Sequence, residues 1–166
     1  MKYLVSELFD LVEKAKTKQD KITILKLNEC EIVKGILALA YDPNLRFNLP
    51  EGRPPYKRDT DKPMGYQETT LNLEARRFYI WLTNDQNIKR LKKEALFIEM
   101  LEGLHYTEAD LLCAVKDKDI TSLYSTITED LVRETFPNLL PPPQPKVEEP
   151  KKSKTKKSKA VSLEVS

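Results

Sequence analysis

Between residues 42 and 68 the chain reads DPNLRFNLPEGRPPYKRDTDKPMGYQE, with five prolines and two glycines. Proline lacks the backbone N–H that a helix needs and clashes with the preceding turn, so no continuous helix crosses this stretch. Nor does it show the apolar–polar alternation of a strand. Helical patterning lies on both sides of it. The chain must therefore fold as two helical groups joined by a long irregular connection, which is uncommon inside one domain unless it is functional or disordered.

On the N-terminal side, Leu4, Leu8, Leu11, Val12 and Ala15 recur at helical spacing and form one apolar stripe. Thr17 with Asp20, and Asn28 with Glu31, each place a capping residue three before an acid, the spacing that satisfies orphan N–H groups at a helix start. The second pair opens a helix with Ile32, Val33, Ile36, Leu37 and Ala40 on its apolar face and Pro43 at its end. Beyond the connection, helix resumes near Thr70 in LNLEARRFYIWLT, carrying Leu73, Arg77, Ile80 and the sole tryptophan, Trp81. A longer helix follows over QNIKRLKKEALFIEMLEGL. Its predicted inward face is Ile88, Leu91, Ala95 and Ile98, extended by Phe97, Leu101 and Leu104, with Gly103 as the stop. Thr126 or Thr128 caps a last short helix through LVRETF, closed by Pro137. The expected fold is all-α: a small irregular helical domain of about six to seven helices over residues 1–140. A disordered lysine-rich tail over 141–166 follows, low in apolar residues and rich in Pro, Lys and Ser.

The stretch LHYTEADLLCAVKDKD, 104–119, gathers the only histidine, one of two cysteines and several acids. It reads as a helix beginning. Thr107 is the expected N-cap, Asp110 stands three residues on, and Tyr106 and Leu111 have the spacing of a hydrophobic staple. His105 is then placed before the cap, dispensable to folding, and Cys113 is buried among Leu111, Leu112, Ala114 and Val115 instead of activated. Asp117 with Asp119, and Asp59 with Asp61, sit among lysines in predicted turns, where aspartate is favoured anyway.

The other chemistry classes leave no sign. No glycine-rich phosphate loop, GxSxG elbow, HExxH pair or acid-rich metal loop occurs. Cys30 and Cys113 lack CxxC spacing, and with one histidine they do not suggest a structural zinc site. Glu7 and Asp10 interrupt the N-terminus before a signal peptide can form, and the longest apolar runs are too short for a bilayer. An intracellular, non-enzymatic protein without cofactor, metal or membrane anchor is expected. The alternative from another class is an enzyme with an undeclared site in the proline-rich connection, which would show as a compact polar pocket with perturbed titratable groups.

Binding is the remaining reading. The formal charge of +2 conceals an asymmetry: residues 1–140 carry 21 Lys and Arg against 23 acids, whereas 141–166 carry 7 Lys against 3 Glu. In the connection, Arg53, Tyr56, Lys57 and Arg58 interleave cations with an aromatic ring and are the candidate partner-binding residues, although five acids balance five bases there. Lys89, Arg90, Lys92 and Lys93 make the main basic run of the body. Lys151, Lys152, Lys154, Lys156, Lys157 and Lys159 in KKSKTKKSK have no nearby aromatic, so they suit phosphate neutralisation without sequence reading. The closing AVSLEVS alternates like a strand that could join a partner's sheet edge.

Four phrases, MKYLVSELFDLVEKAKTK, GRPPY, LFIEMLEGLH and ITEDLVRETFP, together resemble a family of uncharacterised proteins of contractile-tailed bacteriophages, including myoviruses that infect cyanobacteria. The resemblance covers roughly residues 1–140 and brings no catalytic residues. It implies a phage product made in the host bacterial cytoplasm, either an accessory protein with a phage or host protein partner or a minor virion structural or assembly component.

Overall fold

Tyr106–Lys116 buries side chains around most of its circumference, which marks it as the central helix of the fold. The computed structural model describes residues 2–82 and 87–143, and within them the secondary structure is entirely helical. In chain order the helices are α1 (Val5–Lys14), α2 (Lys18–Leu27), α3 (Glu31–Tyr41), α4 (Leu71–Glu74), α5 (Tyr79–Leu82), α6 (Arg90–Gly103), α7 (Tyr106–Lys116) and α8 (Glu129–Thr135). Central α7 packs against α1, α3 and α6, while α2 bridges α1 and α8. One hydrophobic cluster runs from Val5 to Leu140. No helix among the described residues is long and apolar enough to cross a membrane.

Eight described helices exceed the expected six to seven because LNLEARRFYIWLT is not one helix. The chain tightens into a 3-10 turn over Ala75–Arg77, which separates α4 from α5. That break turns Trp81 into the core (0% exposed) and leaves Leu73 half exposed. Trp81, Phe78, Phe97 and Phe47 then meet edge to face, with centroids 5.5–6.2 Å apart. The indole N–H of Trp81 donates to the Lys93 carbonyl at 2.9 Å.

The aromatic cluster corrects the predicted phase of α6. Leu91 is 79% exposed and Ala95 is exposed, whereas Phe97, Met100 and Leu101 are buried. The same rotation buries Lys93 (6% exposed) and so removes it from the basic surface. In α1, Leu8 and Val12 point inward as expected. Leu11 faces out, and Val5 and Phe9 complete the buried face.

The caps divide similarly. Thr17, Thr70 and Thr128 accept the N–H of Asp20, Leu73 and Leu131, as helix-opening threonines should. Asn28, expected to open α3, instead ends α2 by donating its amide to the Ile24 carbonyl at 2.9 Å, and Cys30 stands at the N-cap of α3. Thr126 does not cap α8. Its N–H and hydroxyl bind Glu13 on α1. Gly103 ends α6 where the chain returns: its carbonyl accepts the N–H groups of Glu68 and Thr69, and a Cβ there would meet the Thr69 methyl at 3.2 Å.

Candidate functional site

Neither helix nor strand occurs between α3 and α4, yet the proline-rich connection is tied to the helices along its length. Phe47 enters the aromatic core. The Asn48 N–H donates to Trp81, and Lys116 on α7 donates its ammonium to the Pro50 carbonyl at 2.8 Å. Glu102 on α6 accepts the Lys57 N–H at 2.9 Å. Lys118, held at φ 59°, points its ammonium at the carbonyls of Leu39, Asp42 and Leu45, covering the end of α3. Burial pulls its pKa down, against the opposing pull of Asp42.

At the centre of this attachment is Asp110. One carboxylate oxygen accepts from Arg53 (2.7 Å), the Tyr56 hydroxyl (3.1 Å) and Arg58 Nε (3.1 Å), and the other accepts from Arg58 Nη2 (2.6 Å). The Arg58 guanidinium also lies 4.8 Å from the centre of the Tyr106 ring. Burial raises the Tyr56 phenol's pKa, keeping it a hydrogen-bond donor. Three of the four candidate partner-binding residues therefore converge on one acid of α7. The fourth, Lys57, is anchored through its backbone and has an exposed side chain. Sequence spacing assigned Asp110 to a capping box and missed this role, because its partners lie more than fifty residues away in the chain.

The helix start itself lies two residues earlier than expected. His105 is the N-cap of α7, with Nδ1 accepting the Thr107 N–H at 3.4 Å. Thr107 lies inside the helix, and its hydroxyl bridges His105 Nδ1 (2.8 Å) and the Ser6 hydroxyl (2.9 Å). With Nδ1 as acceptor, Nε2–H donates to the Lys62 carbonyl at 3.2 Å. His105 is 3% exposed, so it is part of the folded interior and not a dispensable residue ahead of a cap. Tyr106 becomes the first helical residue, which removes the expected staple with Leu111.

Glu108 is the residue sequence reasoning passed over. It is 1% exposed, and its two carboxylate oxygens accept the N–H of Val5 at 3.2 Å and of Leu71 at 3.0 Å, the first residues of α1 and α4. One side chain thus closes two helix N-termini from a position in the first turn of a third. Burial raises its pKa, and the two N–H donors oppose the rise. Cys113 is buried, and burial lifts its thiol to about 11, so the group stays protonated.

Two of the paired acids make local contacts. Asp59 accepts the Asp61 N–H within its own turn, and Asp117 ends α7, accepting the Gly52 N–H and pairing with Lys116. No group of three or more His, Cys, Asp or Glu side chains comes together for a metal among the described residues. In the basic run, Lys89, Arg90 and Lys92 are exposed, and Arg90 pairs with Glu94 at 2.9 Å. Lys151, Lys152, Lys154, Lys156, Lys157 and Lys159, with the AVSLEVS terminus, lie outside the described residues.

A family profile described as DUF6433, a family of unknown function, matches residues 8–122. The chain belongs to the DUF6433 family. The DUF6433 match takes in α1 from Leu8 onward, helices α2 to α7, the proline-rich connection and its Asp110 anchor, and stops before α8. No curated protein matches the chain.

Proposed function

We propose that this protein is a non-enzymatic phage accessory protein, acting in the host cytoplasm, that binds a macromolecular protein partner through the surface of its proline-rich connection. The lysine-rich tail adds weak, non-specific attraction to nucleic acid. The observation that supports the reading is the anchoring of Arg53, Tyr56 and Arg58 on Asp110. A long proline-rich segment held this way loses little further conformational entropy when a partner docks, which favours recognition. Arg53 keeps about half of its side chain exposed despite the ion pair, and Lys57 is exposed beside it.

Lys57→Glu is the clean test, because Lys57 contributes only its backbone N–H to the anchoring. Affinity capture from infected cells should lose its main protein partner with Lys57→Glu, while the melting temperature stays within about 2 °C of wild type, as expected for a surface substitution. Equal capture by both proteins would refute this surface as the binding face. Tyr56→Ala serves as the contrast: it breaks a half-buried hydrogen bond to Asp110, so it should lower the melting temperature as well.

A further inference from the structure

We propose that the cavity of about 460 Å³ between the start of the proline-rich connection and α6 binds a small phosphate ester of nucleotide size, held through Arg46 and Arg90. Arg46, Asn48 and Glu51 of the connection, Arg90 of α6, and Lys116 and Asp117 at the end of α7 line it. Its cations therefore come from three separate segments. None of these pairings is visible in the spacing of the sequence.

The walls are fixed before any ligand arrives. Phe47 sits in the aromatic core, and the Asn48 N–H is held by the Trp81 carbonyl at 2.8 Å. The Lys116 side chain, only 3% exposed, is held by the Pro50 carbonyl and Asp117. A preformed wall reduces the ordering cost of binding.

The charges select the ligand. Lys116 and Asp117 neutralise one another, which leaves Arg46 and Arg90 facing Glu51. Arg90 pairs with Glu94, but with 75% of its side chain exposed this is the kind of ion pair that contributes little and exchanges readily for a stronger anion. Two guanidinium forks suit the several oxygens of a phosphate better than two ammonium groups would. A phosphate ion alone would leave most of the volume empty, and the cavity lies within the roughly 300–1,000 Å³ of ordinary ligand pockets. Glu51 repels a bare polyanion but accepts hydrogen bonds, so the rest of the ligand carries hydroxyl or amino donors. A nucleic-acid strand fits less well. Phe47, the aromatic side chain at the cavity, is 8% exposed and offers no open face for base stacking.

The experiment is calorimetric titration of the full-length chain, with the Trp81 indole N–H signal in NMR as an independent reporter beside Phe47. The probes are AMP, GMP, CMP, UMP, ribose 5-phosphate, adenosine, inorganic phosphate and a single-stranded decanucleotide. At least one phosphate ester should bind and shift the indole signal, and adenosine should not. Arg46→Gln and Arg90→Gln, both at exposed positions, should each weaken that binding at least tenfold with circular dichroism unchanged. Silence of every ester, or equal affinity in both variants, overturns the proposal. So does inorganic phosphate binding as tightly as the best ester, which would remove the size argument. Tighter binding of the decanucleotide than of any mononucleotide, lost in the variants, would also overturn it and assign the cavity to a nucleic-acid backbone.

Discussion

Glu108 shows how one residue can organise three helices while looking like an ordinary first-turn acid. Its position suits the electrostatics of α7, and in the folded protein its two oxygens also serve the first N–H groups of α1 and α4. Glu108→Gln tests this directly. The glutamine carbonyl can accept from one of the two, but its amide faces the other, leaving a buried donor unsatisfied at a cost of about 1–3 kcal/mol. The pH dependence has a definite sign. Burial, the larger influence, raises the carboxyl pKa above 4.5, so the folded state holds the proton more tightly than the unfolded one. Such a group contributes fully below its ordinary pKa, and that contribution is lost as pH rises through the raised value. The stability advantage of wild type over Glu108→Gln, measured by denaturant unfolding, should therefore narrow from about pH 4.5 upward. A gap that widens instead would mean that the two helix-terminal hydrogen bonds outweigh burial.

At the level of elements, α6 separates what periodicity can tell from what it cannot. The expected inward face joined one stripe, Ile88, Leu91, Ala95 and Ile98, to a second, Phe97, Leu101 and Leu104, and periodicity alone does not rank the two. The second stripe is buried because Phe47 and Trp81 reach it from other parts of the chain. Phe97→Ala should accordingly cost about 3–5 kcal/mol. Leu91→Ala, at a side chain 79% exposed, should stay within about 0.5 kcal/mol of wild type. Similar losses from both in denaturant unfolding would contradict the observed phase. Most helical segments were legible, since caps at Thr17, Thr70 and Thr128 and stops at Pro43 and Gly103 are local signals, but the 3-10 turn that divides α4 from α5 was not. The helix phase, the true cap at His105 and the destination of Asp110 were not. Each depends on partners distant in sequence: Phe47 for α6, Ser6 and Lys62 for the Thr107–His105 pair, and Arg53 and Arg58 for Asp110.

For the whole molecule the deciding property is the unequal distribution of charge. Residues 1–140 hold 21 Lys and Arg against 23 acids, and several of the body's cations already face carboxylates, as Arg53, Arg58, Arg90 and Arg133 do. Residues 141–166 hold 7 Lys against 3 Glu, so uncompensated positive charge is concentrated there. Binding by phosphate neutralisation weakens with salt at a slope of about −0.9 per duplex phosphate contacted on a log–log plot. The core packs as far as Leu140, and Arg133 donates to the Pro141 carbonyl at 2.7 Å, so a chain ending at Pro143 keeps both contacts. That shortened chain should match the full chain's melting temperature within about 2 °C, because it loses none of these packing contacts. Full-length protein should bind duplex DNA weakly at low salt, without sequence preference, and release it by physiological salt; the shortened chain should show almost none. Salt-dependent binding that survives removal of the tail would instead assign it to the body, where Lys89, Arg90 and Lys92 form the exposed basic run and Lys93 is buried beneath it.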